Sequence, residues 1–220
     1  MDHKLESLAD ADAVARAGAS FVAARAREAV AAHGSFHIAV SGGHTPWAMF
    51  AELSSETVPW TQVVIYQVDE RVAPADDPDR NLHHLMQALG AAPAQLVAMP
   101  VNADNLAAAA SSYAASLPTH FDLVHLGLGP DGHTASLVPG DPALSVSEHL
   151  VALTQPYQGR VRMTLTYPAL ARARQVMWLV SGEDKREALS KLMRGDTTIP
   201  AGRVQAEESL VLADWAASGR

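Results

Sequence analysis

The sequence predicts an α/β fold in which a mainly parallel sheet carries helices on both faces. Short apolar runs such as 36–40 and 121–126 have the length and composition of buried parallel strands. These runs alternate with longer helical segments, which is typical of β–α–β units with right-handed crossovers. Glycine-rich or charged loops follow several of the runs. We therefore expect a single-domain, Rossmann-like α/β fold that spans residues 1–220.

Length and composition indicate one globular domain. The chain has 220 residues, of which 48% are hydrophobic and 18% charged, so it can bury a substantial core. The formal net charge of -8 and the lack of a basic stripe argue against a nucleic-acid partner. There is no cysteine, which excludes disulfides and thiolate chemistry. The sequence shows no signal peptide and no apolar run of ~20 residues, so we expect a cytoplasmic protein without a membrane partner.

Apolar periodicity and helix start and stop signals place the elements along the chain. Helices are predicted where apolar residues recur with a helical period or alanine dominates, and strands where short apolar or alternating runs end at a turn. The predicted helices cover 5–32, 46–53, 82–89, 105–117, 168–173 and 183–193. The predicted strands cover 36–40, 63–68, 121–126, 150–153, 160–167, 175–180 and 209–213.

The segment Ser41-Gly42-Gly43-His44-Thr45-Pro46 follows the first predicted strand and opens the second helix. We expect Thr45 to cap this helix, with Pro46 as its first residue. Backbone N–H groups and the positive end of the helix dipole then face a ligand, as in many anion sites. An ordinary Gly-Gly turn is the alternative interpretation. No Gly-Lys-Ser/Thr follows, so the segment is not a nucleotide P-loop.

The most informative stretch is 121–140, an apolar strand followed by a loop with four glycines and two prolines. The same loop contains an Asp, a His, a Thr and a Ser, which an ordinary tight turn does not need together. His133 is the best candidate for a general base, because imidazole titrates near pH 6.5. The sequence leaves open whether Asp131 or Asp69 supports His133.

Charged residues follow two further predicted strands. Asp69-Glu70-Arg71 ends the strand 63–68, and Lys185 lies in the first turn of a helix, where its charge opposes the helix dipole. A solvated turn and a solvated surface lysine are the alternative interpretations. Because the polar clusters all follow strands or begin helices, we expect them to meet at one edge of the sheet.

The order of these motifs resembles the 6-phosphogluconolactonase family, which belongs with the glucosamine-6-phosphate deaminase/isomerase superfamily. The resemblance covers nearly the whole chain. It is carried by 41–46, 69–71, Asn81, 127–137, 162–166, Gly182 and Lys185. In the deaminases the stretch after Gly-His runs on as Ile-Ala-Phe-Asn-Glu-Pro, whereas the residues 134–139 are similar to the lactonase version. The departures are His44 in place of Ser, Val138 in place of Phe, and Arg80 in place of a small residue, a change expected to alter the substrate rim.

The resemblance implies hydrolysis of 6-phospho-D-glucono-1,5-lactone to 6-phosphogluconate, the second step of the oxidative pentose phosphate pathway. It implies a monomer that needs no metal and no cofactor. His133 is then the base that activates water, with Asp131 and Asp69 as the candidate supporting carboxylates. Binding of the substrate and its phosphate falls to Ser41, Gly42, Gly43, Thr45, Arg71, Asn81, Gly129, Arg162 and Lys185.

Three other functions are alternatives to the lactonase. A glucosamine-6-phosphate deaminase on the same fold would use Asp69 as the proton-abstracting base and His133 in ring opening. A non-catalytic sugar-phosphate sensor would usually carry a DNA-binding helix-turn-helix, and the region before Phe36 shows none. A metal hydrolase would have to use pairs such as His83-His84 or His120 with His125, and adjacent side chains point to different sides of an element.

Overall fold

The computed structural model describes residues 2–220, which form a seven-stranded sheet and a separate three-stranded sheet. The strands are β1 (His3–Leu8), β2 (Phe36–Val40), β3 (Val63–Gln67), β4 (Asp69–Arg71), β5 (Gln95–Val97), β6 (Phe121–Gly127), β7 (Val151–Leu153), β8 (Arg162–Leu165), β9 (Ala173–Val180) and β10 (Glu208–Asp214). The α-helices are α1 (Ala11–His33), α2 (His44–Leu53), α3 (Asn81–Leu89), α4 (Leu106–Ser116), α5 (Tyr167–Leu170), α6 (Arg186–Met193) and α7 (Trp215–Ser218).

The large sheet is parallel throughout and is buried on both faces. Its order is β1-β10-β9-β6-β2-β3-β5, and every pair within it is parallel. Along β9, Val176 and Trp178 face one hydrophobic core, whereas Met177 and Leu179 face another. This alternation follows from the two-residue period of a strand. One core includes residues of α1, α2 and α3, and the other includes residues of α4 to α7. The predicted fold class is therefore confirmed.

The order of the strands also determines where a ligand can bind. From β2 the chain adds β3 and β5 on one side, and from β6 it adds β9 and β10 on the other. The connections that leave the carboxyl ends of β2 and β6 therefore diverge, which opens a crevice at this switch point. The Gly-Gly segment that follows β2 and the glycine-rich loop that follows β6 border this crevice.

The predicted helix 5–32 is wrong at its start. His3–Leu8 forms the edge strand β1, which pairs in parallel with β10 from His3↔Ser209 to Leu8↔Asp214. The helix begins at Ala11, where the Asp10 carboxylate accepts the N–H of Ala13 at 2.8 Å. The local sequence of β1 carries no information about a partner strand some 200 residues later in the chain. The helix end was predicted correctly, because Gly34 has a φ of 87° at the C-cap.

Three further details differ from the prediction. Helix α2 begins at His44 with Gly43 as its N-cap, so Thr45 is a residue of the first turn and not the cap. Asp69-Glu70-Arg71 forms the strand β4, which pairs antiparallel with β8 and belongs to the smaller sheet. The short strand β5 was not predicted, because three half-exposed residues give too weak a pattern.

Candidate active site

A cleft of about 390 Å³ lies at the carboxyl ends of the central strands. The loops after β2, β6 and β9 meet there with β4 and β8 of the smaller sheet, the turn between β7 and β8, and the start of α3. All of the predicted site residues except Asp131 line this cleft. These are Ser41, Gly42, Gly43, Thr45, Asp69, Arg71, Asn81, Gly129, His133, Arg162 and Lys185.

His133 is held by the glycine-rich loop that follows β6. Its carbonyl accepts the N–H of Gly129 at 2.8 Å, and its ring Nδ1 lies 2.5 Å from Asp131 Oδ1. Gly129 is required by this packing, since a Cβ at that position would overlap the His133 ring and the Asp131 carboxylate. With Nδ1 engaged by Asp131, Nε2 is the ring nitrogen that remains for a reactant. The side chain of His133 is 23% exposed, so solvent and ligand can reach it.

Of the two candidate carboxylates, Asp131 is the one that contacts His133. Partial burial acts to raise the pKa of Asp131. The hydrogen bonds from the His133 backbone and ring outweigh burial, so the pKa of Asp131 lies below its ordinary value. A carboxylate that stays ionised next to Nδ1 can stabilise a positive imidazolium when Nε2 takes up a proton.

Asp69 lies elsewhere in the cleft and has different partners. It is 6% exposed, and its Oδ2 accepts the hydroxyl of Ser136 at 2.5 Å. The Asn81 amide lies 3.4 Å from Asp69 Oδ1. Burial raises the pKa of Asp69, although the Ser136 hydrogen bond and the charge of Arg162 oppose the shift. Asp69 therefore connects the wall of the cleft to the glycine-rich loop. Both Asp69 and His133 lie within the described residues 2–220, and no hydrogen bond joins them.

The loop after β2 presents backbone groups to the cleft. No side chain caps α2, because its N-cap is Gly43, so the first N–H groups of the helix are free to bind an anion. Asn81 packs directly against Gly42, where a Cβ would overlap the amide. Ser41 is held by two hydrogen bonds to His125. Its N–H donates to His125 Nδ1 at 3.3 Å, and its hydroxyl donates to the His125 carbonyl at 3.2 Å. The Ser41 hydroxyl is thus part of the scaffold of the loop.

Three cationic side chains line the same cleft: Arg71, Arg162 and Lys185. Strands β4 and β8 place Arg71 directly opposite Arg162 in their antiparallel register. Burial lowers the pKa of Arg162, a shift that the charge of Asp69 opposes and the charge of Arg71 reinforces. Like charges that face each other across an antiparallel pair destabilise it, so an anion in the cleft would relieve this repulsion. Lys185 is fixed by Asp184, 3.0 Å from its Nζ.

Glu70 anchors the cationic side of the cleft from within the core. Its carboxylate accepts the backbone N–H groups of Arg71, Asn81 and Leu82, each at 2.8 Å. Glu70 thereby caps α3 from a distance and fixes the backbone on both sides of Arg71. Arg80 was expected at the substrate rim, and this is wrong. It is 4% exposed, and its Nε lies 3.6 Å from the Glu70 carboxylate, so its charge is neutralised in the interior.

Sequence reasoning did not assign Tyr157 and Gln158 to the site, although both line the cleft. Ala135 and Gln158 have positive φ values of 49° and 51°, which is uncommon for residues other than glycine. Gln158-Gly159 lies between the predicted strands 150–153 and 160–167, so a hairpin turn could have been predicted there. Its proximity to the cleft could not, because that depends on how the two sheets pack.

Within residues 2–220, no group of three or more His, Asp or Glu side chains is placed to hold a metal ion. His125, one of the histidines considered for a metal site, is fully buried between Ser41 and Phe50. None of the helices in residues 2–220 has the length and hydropathy that a membrane span requires.

Comparison with known proteins gives a consistent result. The family described as glucosamine-6-phosphate isomerases/6-phosphogluconolactonase matches residues 9–212. A 6-phosphogluconolactonase of Synechocystis is 34% identical over 207 residues, which cover 86% of this chain and 86% of that protein. The rabbit GDH/6PGL endoplasmic bifunctional protein is 40% identical over 77% of this chain, but the match spans only 23% of the rabbit protein.

A solved structure agrees with these matches. A 6-phosphogluconolactonase of Shewanella baltica is 28% identical and superposes with a TM-score of 0.87, covering 97% of this chain and 98% of that one. The family match at residues 9–212 includes all the segments that border the cleft, which lie between residues 41 and 185. The chain belongs to the family of glucosamine-6-phosphate isomerases and 6-phosphogluconolactonases.

Proposed function

We propose that this protein hydrolyses 6-phospho-D-glucono-1,5-lactone to 6-phosphogluconate. One observation carries the proposal: a histidine paired with an ionised carboxylate shares a cleft with two arginines whose charges face each other. A lactone needs a base that activates water, and its phosphate needs cations and backbone donors. The family match and the lactonase names of the relatives support the same substrate. We also propose that residues 1–220 form a single domain and that the protein is cytoplasmic.

The histidine supplies the proton transfers. Nε2 of His133 takes a proton from water while the water oxygen attacks the lactone carbonyl, and a tetrahedral oxyanion forms. The Asp131 carboxylate stabilises the imidazolium that results. When the tetrahedral intermediate collapses, the bond from the carbonyl carbon to the ring oxygen breaks, and the imidazolium returns the proton to that oxygen. The products are a carboxylic acid, which ionises, and a free hydroxyl, and His133 is neutral again.

The other side of the cleft holds the phosphate. Arg71 and Arg162 provide planar forks for phosphate oxygens, Lys185 provides a point charge, and the start of α2 provides N–H groups. Asn81 and Thr45 add polar groups beside them. Because the phosphate lies at the far end of the substrate, holding it fixes the carbonyl near His133 and converts binding energy into positioning.

The decisive experiment follows the decay of freshly generated 6-phosphogluconolactone at neutral pH, with and without protein, in the presence of a chelator. The blank is essential because this lactone also hydrolyses unaided. We expect faster decay that the chelator does not affect. No acceleration would contradict the proposal, and glucosamine 6-phosphate, the substrate of the alternative deaminase, would be tested next. Loss of the acceleration in chelator alone would contradict the metal-free mechanism.

A variant assigns the base. We expect His133→Ala to lower kcat by about 10²–10⁴-fold, the usual contribution of a general base, while 6-phosphogluconate still binds. His120→Ala is the matched control, since His120 is exposed and does not line the cleft. Equal kcat for wild type and His133→Ala would contradict the assignment.

A further inference from the structure

The turn between β7 and β8 has a glutamine at a position where the backbone φ angle is positive. Tyr157 and Arg160 exchange backbone hydrogen bonds of 2.9 Å and 3.2 Å, which closes a two-residue hairpin turn over Gln158 and Gly159. Both central residues have positive φ, 51° and 79°. Turns with this backbone favour Asn, Asp or Gly at the first central position, because a longer side chain is strained there. Gln158 therefore holds a conformation that its own side chain disfavours.

The Gln158 side chain makes a contact that a shorter residue could not. Its Oε1 accepts the Nη2 hydrogen of Arg162 at 3.0 Å. The ring of Tyr157 lies against the same guanidinium, 5.1 Å from its Cζ to the ring centroid. Two neighbouring residues of one turn therefore hold Arg162 from two sides. Tyr157 also contacts His133, with ring centroids 5.7 Å apart and the planes at 63°.

The far end of the turn is anchored to the loop between β4 and α3. Arg160 forms ion pairs with Asp77 at 2.9 Å and with Asp79 at 3.4 Å. The backbone carbonyl of Asp79 in turn accepts a hydrogen bond from Arg71. The turn is thus connected to both arginines of the cleft, to Arg162 through Gln158 and to Arg71 through the loop that Arg160 holds.

We propose that Gln158 is a positioning residue for binding of the phosphate, and that it acts through Arg162. This inference rests on the proposed function. An arginine that is free to rotate loses several rotamers when it binds phosphate, whereas one that is already held loses few. Backbone strain that persists next to a binding site indicates such a function, because Asn or Gly would relieve it. Gln158 therefore trades stability of the fold for a fixed orientation of Arg162.

The test compares two substitutions that separate strain from contact. Gln158→Asn suits the turn better but is too short to reach Arg162, whereas Gln158→Met keeps the length and the strain but lacks the carbonyl oxygen. We expect both variants to raise the KM for the lactone and the Kd for 6-phosphogluconate about 5- to 10-fold, with a smaller change in kcat. We expect Gln158→Asn to unfold at a temperature at least equal to that of wild type, up to about 2–4 °C higher.

The outcomes distinguish this inference from the proposed function. Gln87→Asn on the exposed side of α3 is the control and should change neither constant. Wild-type KM and Kd in both variants, with an active wild-type enzyme, would overturn the role of Gln158 alone. A purely structural role would lower stability and kcat together, which would also overturn it. A wild-type protein that fails to hydrolyse the lactone would overturn the proposed function, and Kd values for 6-phosphogluconate measured by calorimetry would still decide whether Gln158 positions Arg162.

Discussion

His125 makes the stability of the fold sensitive to acid. It lies in β6 with no exposed surface, its Nδ1 accepts the N–H of Ser41, and its ring meets the edge of Phe50 at 6.2 Å. No group in residues 2–220 accepts a hydrogen bond from Nε2. A charged imidazolium would lose the Ser41 bond and sit unpaired in the core, so burial lowers the pKa of His125 to about 3.

The sign and size of the effect follow from linkage. A histidine in the unfolded chain has a pKa of about 6.5. Because the folded pKa is lower, the unfolded state binds the proton first, so the contribution is fully present above pH 6.5 and is lost as the pH falls towards the folded value. At pH 5 the loss is roughly 1.5 pH units × 1.36 kcal/mol, or about 2 kcal/mol. In a domain of this size that corresponds to about 4–8 °C in Tm.

The measurement is urea unfolding at pH 7, 6 and 5 for wild type and His125→Asn. The Asn oxygen can accept the Ser41 N–H in place of Nδ1, but it does not titrate. His3 and His37, whose pKa values are also lowered mainly by burial, are present in both proteins and cancel in the comparison. We expect wild type to lose about 2 kcal/mol more than the variant between pH 7 and pH 5. Equal losses in the two proteins would refute the reasoning.

Two further substitutions test the site and its scaffold. Asp131→Asn keeps the contact with His133 but removes the charge that stabilises the imidazolium, so kcat should fall by about 10²-fold with little change in 6-phosphogluconate binding, and an unchanged kcat would contradict that role. Glu70→Gln places an amide among backbone N–H donors and leaves Arg80 buried without a countercharge, so it should lower the free energy of unfolding in urea by about 3–5 kcal/mol. A change below about 1 kcal/mol would contradict the anchoring role of Glu70.

The fold was predictable where the relevant information is local. Buried parallel strands such as β2 and β6 are short, mostly apolar runs, and His33-Gly34 is a strong helix end. Strand β1 was missed because its conformation depends on pairing with β10 at the other end of the chain. Asp10, which caps α1, was a local signal that could have corrected the start of the helix.

The site, like the fold, was predictable where the relevant information is local. Residues in the loops after parallel strands must meet at one edge, so Gly42, His133 and Lys185 could be placed together from the sequence. The pairing of His133 with Asp131 depends on loop geometry, and the burial of Arg80 depends on Glu70, ten residues earlier. Neither feature can be inferred from the composition of the neighbouring sequence. The turn over Gln158 and Gly159 was not assigned to the site for another reason, because it belongs to the smaller sheet.

The cleft is divided between two sheets, which explains how one site can hold a histidine beside a negative charge and also two arginines that face each other. His133 lies in the loop that follows β6 of the parallel sheet, and as the proposed base it needs a neighbouring negative charge, which Asp131 would provide. Arg71 and Arg162 come from the antiparallel sheet, where the strand register sets two positive charges opposite each other. That repulsion is unfavourable in the free protein, and under the proposed function a bound phosphate would remove it and gain affinity from doing so. Because base and arginines lie on separate sheets, each can be fixed by its own scaffold, and the distance between them is set by how the sheets pack.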